Sequence, residues 1–351
     1  MLFSFINKNN IILMSSDNKL QINGIFTDFS KNLLSLATNK GFQVYSINSF
    51  FKISDSSSEK LGELNIAIPL YLSKVILIVG KNPDSPITNC QFILYDDKSK
   101  NQMCVVSFKE KIFSAKIIIE GIFISFLDKI KIFDLKKLDN IIDIDDIFES
   151  KINLSLEDSN LILSEISNSK RNILNIYNMK FSKENEELTI VDSYQIEIPC
   201  KTLYKISIDK KGKNVCIASK DNNCIFIYDI KEKTILHFNI EKSFLKIQTL
   251  EFYKDFICLF YTNNLLQIFN LKDNNKNSHI MNYFANYKFN YSYFDELIDE
   301  NYGKNINKFI IYFTQKSEFS LIDSHGICQK IKFNTKEREK IWCVREIKFI
   351  K

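Results

Sequence analysis

Two runs of residues in this chain of 351, with its scattered His and Cys, have side chains that could do chemistry. Asp323-Ser324-His325-Gly326 holds the acid, nucleophile and base of a hydrolytic triad. Contiguous residues cannot take up triad geometry, which gathers side chains from separate parts of a chain, so the run reads as a hairpin turn. Asp143-Ile144-Asp145-Asp146 offers carboxylates to a cation, but lacks the glycine-bearing spacing of a calcium loop. It reads as a solvated acidic loop between structural units. His237 and His279 have no partners at metal-ligand spacing, and none of the eight Cys forms a CxxC pair. Cys90, Cys104, Cys216, Cys224 and Cys258 fall in strand-like apolar runs, where a free thiol behaves as a small hydrophobe. No glycine loop of the phosphate-cradling kind is present. The expectation is a protein that binds rather than catalyses, with no metal and no cofactor.

The elements around these residues are strands. Thirty Phe, fifteen Tyr and many Ile favour them. With only eight Gly and four Pro, the turns fall to Asn, Asp, Ser and Lys, of which Asn and Asp tolerate left-handed backbone. A net charge of +5 with no basic stripe argues against a nucleic-acid partner and leaves room for weak attraction to an anionic membrane. The first ten residues lack the basic start and apolar stretch of a signal peptide. The longest apolar run, residues 117–127, is broken by Glu120 and too short to cross a bilayer. A soluble, monomeric, cytoplasmic protein of a reducing compartment is expected.

One strand recurs seven times, as Phe42-Gln43-Val44-Tyr45, Phe92-Ile93-Leu94-Tyr95, Ile130-Lys131-Ile132-Phe133, Leu174-Asn175-Ile176-Tyr177, Phe226-Ile227-Tyr228, Leu266-Gln267-Ile268-Phe269 and Glu318-Phe319-Ser320-Leu321. Taken as the last strand of its unit, it is spaced by 50, 38, 44, 51, 41 and 52 residues from Tyr45 to Leu321. A four-stranded propeller blade repeats at about 40–45 residues. The expected fold is therefore all-β, a single seven-bladed β-propeller over residues 1–351, with 272–307 as a long blade-six loop. Closure of the ring falls to residues 340–351 or to an N-terminal strand, because an open propeller would expose a sheet edge. The usual WD-repeat marks are missing: there is no Trp-Asp or Gly-His pair, and Trp342 is the sole Trp.

Three stretches resemble one family, the PROPPIN proteins (phosphoinositide-binding propellers that include the WIPI proteins of autophagy). Gly41-Phe42-Gln43-Val44-Tyr45 is similar to the family's blade-one ending. Residues 79–97 resemble its blade-two pattern: Gly80-Lys81-Asn82-Pro83, a second proline at Pro86, Asn89, then a strand ending in Tyr95-Asp96-Asp97. Residues 217–271 follow its blades five and six strand for strand. The resemblance implies a scaffold that binds phosphatidylinositol 3-phosphate membranes and recruits a lipid-transfer protein. It also implies a long blade-six loop that dips into membranes, where Met281, Tyr283 and Phe284 stand, unless the aromatic run is the blade's outer strand from residue 287 on.

The departure falls on the family's binding motif. Blade five should end in Leu/Phe-Arg-Arg-Gly, with the two arginines in neighbouring headgroup pockets. Here the positions are Phe238-Asn239-Ile240-Glu241. Phe238 is kept, both arginines are gone, and Glu241 brings a negative charge. A charge-assisted hydrogen bond contributes ~1.5–3 kcal/mol, so losing two costs ~3–6 kcal/mol, roughly a hundredfold to ten-thousandfold in affinity. Lys205, Lys242 and Lys246, with Ser219 and Ser243, are the remaining candidates for headgroup contact, though lysine lacks arginine's bidentate fork. Two readings stay open. One is a peripheral-membrane adaptor of autophagosome-precursor or endosomal membranes, its lipid binding weakened. The other is a lipid-independent protein-interaction propeller. For protein partners, the stiff blade-two loop offers Lys81, Pro83, Asp84 and Pro86.

Overall fold

The structure, a computed structural model, describes residues 20–239 apart from 31, 48, 50, 58–59, 72, 158–159, 183–186 and 221–223, and beyond them the strands between 247 and 348. Among these residues the chain forms strands and no helix, arranged as seven antiparallel four-stranded sheets. Blade one is β1 (Ile22–Thr27), β2 (Leu33–Thr38), β3 (Gly41–Ser46) and β4 (Lys52–Ser57). Blade two is β5 (Leu64–Pro69), β6 (Val75–Gly80), β7 (Gln91–Asp96) and β8 (Asn101–Ser107). Blade three is β9 (Ser114–Ile118), β10 (Gly121–Ser125), β11 (Lys129–Phe133) and β12 (Asn140–Asp145). Blade four is β13 (Ile147–Glu157), β14 (Asn160–Ser167), β15 (Ile173–Ser182) and β16 (Glu187–Glu197). Blade five is β17 (Leu203–Ile208), β18 (Asn214–Ser219), β19 (Cys224–Asp229) and β20 (Thr234–Asn239). Blade six is β21 (Ile247–Tyr253), β22 (Phe256–Tyr261), β23 (Leu265–Asn270) and β24 (Tyr283–Lys288). Blade seven is β25 (Phe309–Gln315), β26 (Glu318–Asp323), β27 (Ile327–Phe333) and β28 (Ile341–Lys348).

The seven-bladed propeller expected from the spacing is the fold observed. The first strands lie side by side in a ring that β25 closes against β1. Every blade is built from four consecutive strands, so closure is by packing between blades, with β28 completing blade seven. Among the described residues no N-terminal strand is shared.

Three expectations change in detail. The recurring strand is the third of its blade in six cases, not the last, and Leu321 lies on the second strand of blade seven. The reason is burial. The third strand is bonded on both sides and covered on both faces, so β19 is buried along nearly its whole length. The fourth strand is a solvated edge, and β8 alternates exposed and half-buried residues. The acidic tract is not a loop between blades. Residues 140–145 form β12, where Asp143 pairs across to Lys131 Nζ at 2.7 Å, and the Asp146 carboxylate accepts from Ser167 and Ser169. Within 272–307, residues 283–288 are a strand, the blade's fourth.

The core is divided among the blade interfaces. Blades two and three enclose Phe92, Phe126 and Phe133 with Leu77, Ile117 and Ile124, and Phe92 meets the Phe133 ring edge-on at 5.6 Å. Blades four and five share Leu174, Ile176, Ile217 and Phe226. Blades five and six share Ile225, Phe238, Leu259 and Tyr261. Cys216 in this core and Cys258 on β22 are fully buried, and burial pushes both thiols up. Cys90, Cys104 and Cys200 are half-buried, less enclosed than the apolar runs around the first two implied.

Polar contacts join blades one and two as well. The Asp97 carboxylate of blade two accepts hydrogen bonds from Ser56 of blade one and from Lys100. Burial acts to raise the Asp97 pKa, but these donors outweigh it and hold the carboxyl below its usual value. The stability this contributes is present above the ordinary carboxylate pKa and is lost as pH falls through the folded value. Urea midpoints should therefore decline as pH drops below about 4, and the decline should be shallower in Asp97→Asn. An unchanged acid limb in that variant would remove Asp97 from the explanation.

Candidate functional site

Alternation along β20 decides what the motif position can do. Phe238 points into the core between blades five and six and is buried. His237 and Asn239 flank it on the opposite side and are exposed. The register pairs Asn239 with Cys224 and His237 with Phe226, so these four share one face. The Cys224 thiol donates to Asn239 Oδ1 at 2.8 Å. The His237 and Phe226 rings lie 6.2 Å apart and are tilted by 38°. With Pro199, from the connection out of blade four, they line an open cleft of about 360 Å³.

No lysine or arginine is among these lining residues. Asn239 offers a neutral amide where the family resemblance called for a guanidinium, so among the described residues the cleft has an aromatic wall and a polar rim but no fixed positive charge. His237 and Cys224 belong to the site although neither was singled out for it from the sequence. The signal was available: residues two apart on a strand share a face, and the hairpin register supplies their partners.

The other headgroup candidates do not gather here. Lys205 sits on the first strand of the blade and Asn239 on the fourth, about 14 Å away at three strand spacings. Lys205 instead lines a small cavity of about 20 Å³ with Asn153, Glu165 and Tyr204. Ser219 ends β18 and is buried; its hydroxyl has no hydrogen-bond partner among the described residues. Ile240, Glu241, Lys242, Ser243 and Lys246 lie outside the described residues, as does Met281. Tyr283 and Phe284 are not in a loop. They begin β24, where Tyr283 pairs with Phe269, and Phe284 is the extra residue of a bulge. The outer strand starts four residues earlier than the aromatic run suggested, since residues 283–288 supply the ladder partner that β23 needs.

The blade-two loop is rigid for reasons beyond its prolines. Gly80 N donates to Thr88 O at 3.2 Å, closing the loop at its base. Ile87 is buried in the core between blades one and two, and Pro86 packs on Gly62, whose left-handed φ of 63° suits glycine. Lys81 is not free to meet a partner: its Nζ bonds Glu63 Oε1 at 2.6 Å and Asn23 Oδ1 at 3.1 Å. Asn82 Nδ2 takes the other Glu63 oxygen at 2.8 Å. Pro83, Asp84 and Pro86 are exposed and form the loop's outer surface. Replacing Lys81 and Asp84 together by Ala should lower stability by about 1 kcal/mol or less, since a half-exposed ion pair contributes little. A larger loss in chemical denaturation would make Lys81 a structural anchor between the blades.

No protein-family model matches the chain, and no curated protein matches it in sequence. Solved structures do match. Hsv2 of Kluyveromyces lactis superposes with a TM-score of 0.73 at 14% identity, over 94% of this chain and 99% of that one. Hsv2 of Kluyveromyces marxianus gives 0.72 at 14%, with the same coverage. KlAtg21, in a complex with the coiled coil of AgAtg16, also gives 0.72 at 14% over 94% and 99%. The likeness is one of fold: the chain has a PROPPIN-like propeller.

Proposed function

We propose that this chain is a non-enzymatic adaptor, a PROPPIN-like propeller that recruits protein partners and has lost phosphoinositide recognition at blade five. The neutral cleft at Asn239 carries this reading. A phosphorylated headgroup needs charge-assisted donors, and the described lining residues supply none. That KlAtg21 forms a complex with a coiled coil supports protein recruitment as the use of such a platform. By the same analogy the role is in autophagosome formation, beside a lipid-transfer protein, with the chain cytoplasmic and reaching autophagosome-precursor or endosomal membranes through its partners. Liposome flotation with and without phosphatidylinositol 3-phosphate tests this. Equal recovery from both supports the reading, and lipid-dependent flotation overturns it.

A weak residual lipid contact is the second reading. The buried Ser219 hydroxyl without a described partner favours it, as does the net charge of +5. Flotation that requires phosphatidylinositol 3-phosphate and fades with added salt would establish it, because screening removes weak surface attraction.

A further inference from the structure

The outer strands of the seven blades are not alike. In β4, β8, β12, β16, β24 and β28 the ladder to the third strand slips by one residue, leaving Ile53, Met103, Ile141, Val191, Phe284 and Val344 unpaired. In β20 the register runs without a break from Cys224↔Asn239 to Asp229↔Thr234. A bulge disrupts the ladder and bends the strand, and it is one of the devices that keep sheet edges from pairing. Charge is another. β4, β12, β16, β24 and β28 each carry Lys, Arg, Asp or Glu, whereas Thr234-Ile235-Leu236-His237-Phe238-Asn239 carries none and no Pro. Only β20 has neither device. Its ladder has no break, and among the described residues the sheet ends there.

We propose that the outer edge of β20 takes up an extended, uncharged segment of a partner protein as a fifth strand of blade five. A large apolar side chain of that segment seats in the cleft of Pro199, Phe226 and His237. This rests on the reading above that the cleft is not a headgroup site. Strand addition obtains affinity from main-chain hydrogen bonds and selectivity from pockets for alternate side chains. Both parts are present: six residues of edge, and a cleft of about 360 Å³ beside it with an aromatic wall. On the opposite face Leu236 is 49% exposed, a second apolar contact for the alternating side chains. A second copy of this chain does not fit as well. In a two-fold pairing of β20 edges, His237 and Asn239 would bring one cleft against another with no side chain to fill either.

The test selects displayed random linear peptides on the full chain, then titrates the enriched peptides, made synthetically, by fluorescence anisotropy. The expected peptides alternate apolar residues. They should bind with amide-exchange protection over residues 234–239. Leu236→Lys, which adds the missing edge charge, should weaken them roughly tenfold or more. Val191→Lys, on the bulged edge of blade four, should leave them unchanged. No enriched peptide, protection of another strand, indifference to Leu236→Lys, or a dimer in sedimentation would each overturn the proposal. The protection measurement uses the unsubstituted protein, so it decides the matter even if Leu236→Lys folds poorly. Displacement of the peptide by phosphatidylinositol 3-phosphate vesicles would overturn the lipid-free reading itself. No enriched peptide together with vesicles that also fail to bind would overturn only the strand addition and leave the lipid-free reading standing.

Discussion

Asn239→Arg, Ile240→Arg and Glu241→Gly combined should raise affinity for phosphatidylinositol 3-phosphate vesicles at least tenfold, toward the upper range of roughly ten-thousandfold set by two charge-assisted bonds. The geometry at Asn239 is what makes the gain plausible from one position. The residue ends β20 on its exposed face, at the mouth of an open cleft, where a longer side chain has room. Asn239→Arg alone should produce part of the effect, because a guanidinium binds a phosphate through two parallel bonds. The gain should shrink steeply with salt, since exposed charges are screened within about 8 Å at physiological ionic strength. Asn239→Lys should gain less than Asn239→Arg, as a point charge lacks the fork. Vesicle co-sedimentation over a lipid titration measures this. If the parent binds as tightly as the triple variant, Asn239 is not a weakened site and the adaptor reading must include the membrane.

Much of the fold was legible because the third strand of a blade is where sequence and burial agree most closely. Phe42-Gln43-Val44-Tyr45 and Gln267-Ile268-Phe269 are conspicuous because both faces are covered. The polar residue within each has a buried partner or position: Tyr45 and Tyr261 donate to the Gln43 and Gln267 side-chain oxygens at 2.7 and 2.6 Å. The outer strands were hard to place for the opposite reason. One of their edges meets solvent, so polar residues are tolerated and the alternation is interrupted by a bulge. That is why residues 140–145 passed for an acidic loop and 283–288 for part of an insertion. The candidate site was half legible. The missing arginines could be read directly, but the cleft that replaces their pocket depends on Pro199 and Cys224, distant in sequence and brought beside Asn239 by the pairing of β19 with β20 and the entry from blade four. Lys205 fails as a headgroup contact because β17 and β20 are the two edges of blade five, three strand spacings apart, and not adjacent strands.

Gly80→Ala is expected to be among the most damaging single-atom-group additions the chain can suffer. A Cβ at this position would stand 1.6 Å from the Ile87 carbonyl oxygen and 2.4 Å from its carbon. Both are backbone atoms, which cannot turn aside as a side-chain end would. Relief requires the residue 81–89 loop to move. That movement would draw Ile87 out of the core it shares with Phe42, Leu64 and Ile78, and would break the Gly80–Thr88 and Lys81–Glu63 bonds. Overpacking with backbone shifts costs about 1–3 kcal/mol, and withdrawing a buried Ile adds a loss of the kind seen in large-to-small core changes, about 2 kcal/mol or more. A total of roughly 3 kcal/mol or more removes a large fraction of a typical domain's stability of about 5–15 kcal/mol. Pro83→Ala, at the exposed outer turn of the same loop, should stay within about 1 kcal/mol. Urea denaturation of both variants separates the explanations. If Gly80→Ala is as mild as Pro83→Ala, the Gly-Lys-x-Pro stretch is held by its surroundings less tightly than the contacts require, and the loop, rather than the glycine, sets the joint between blades one and two.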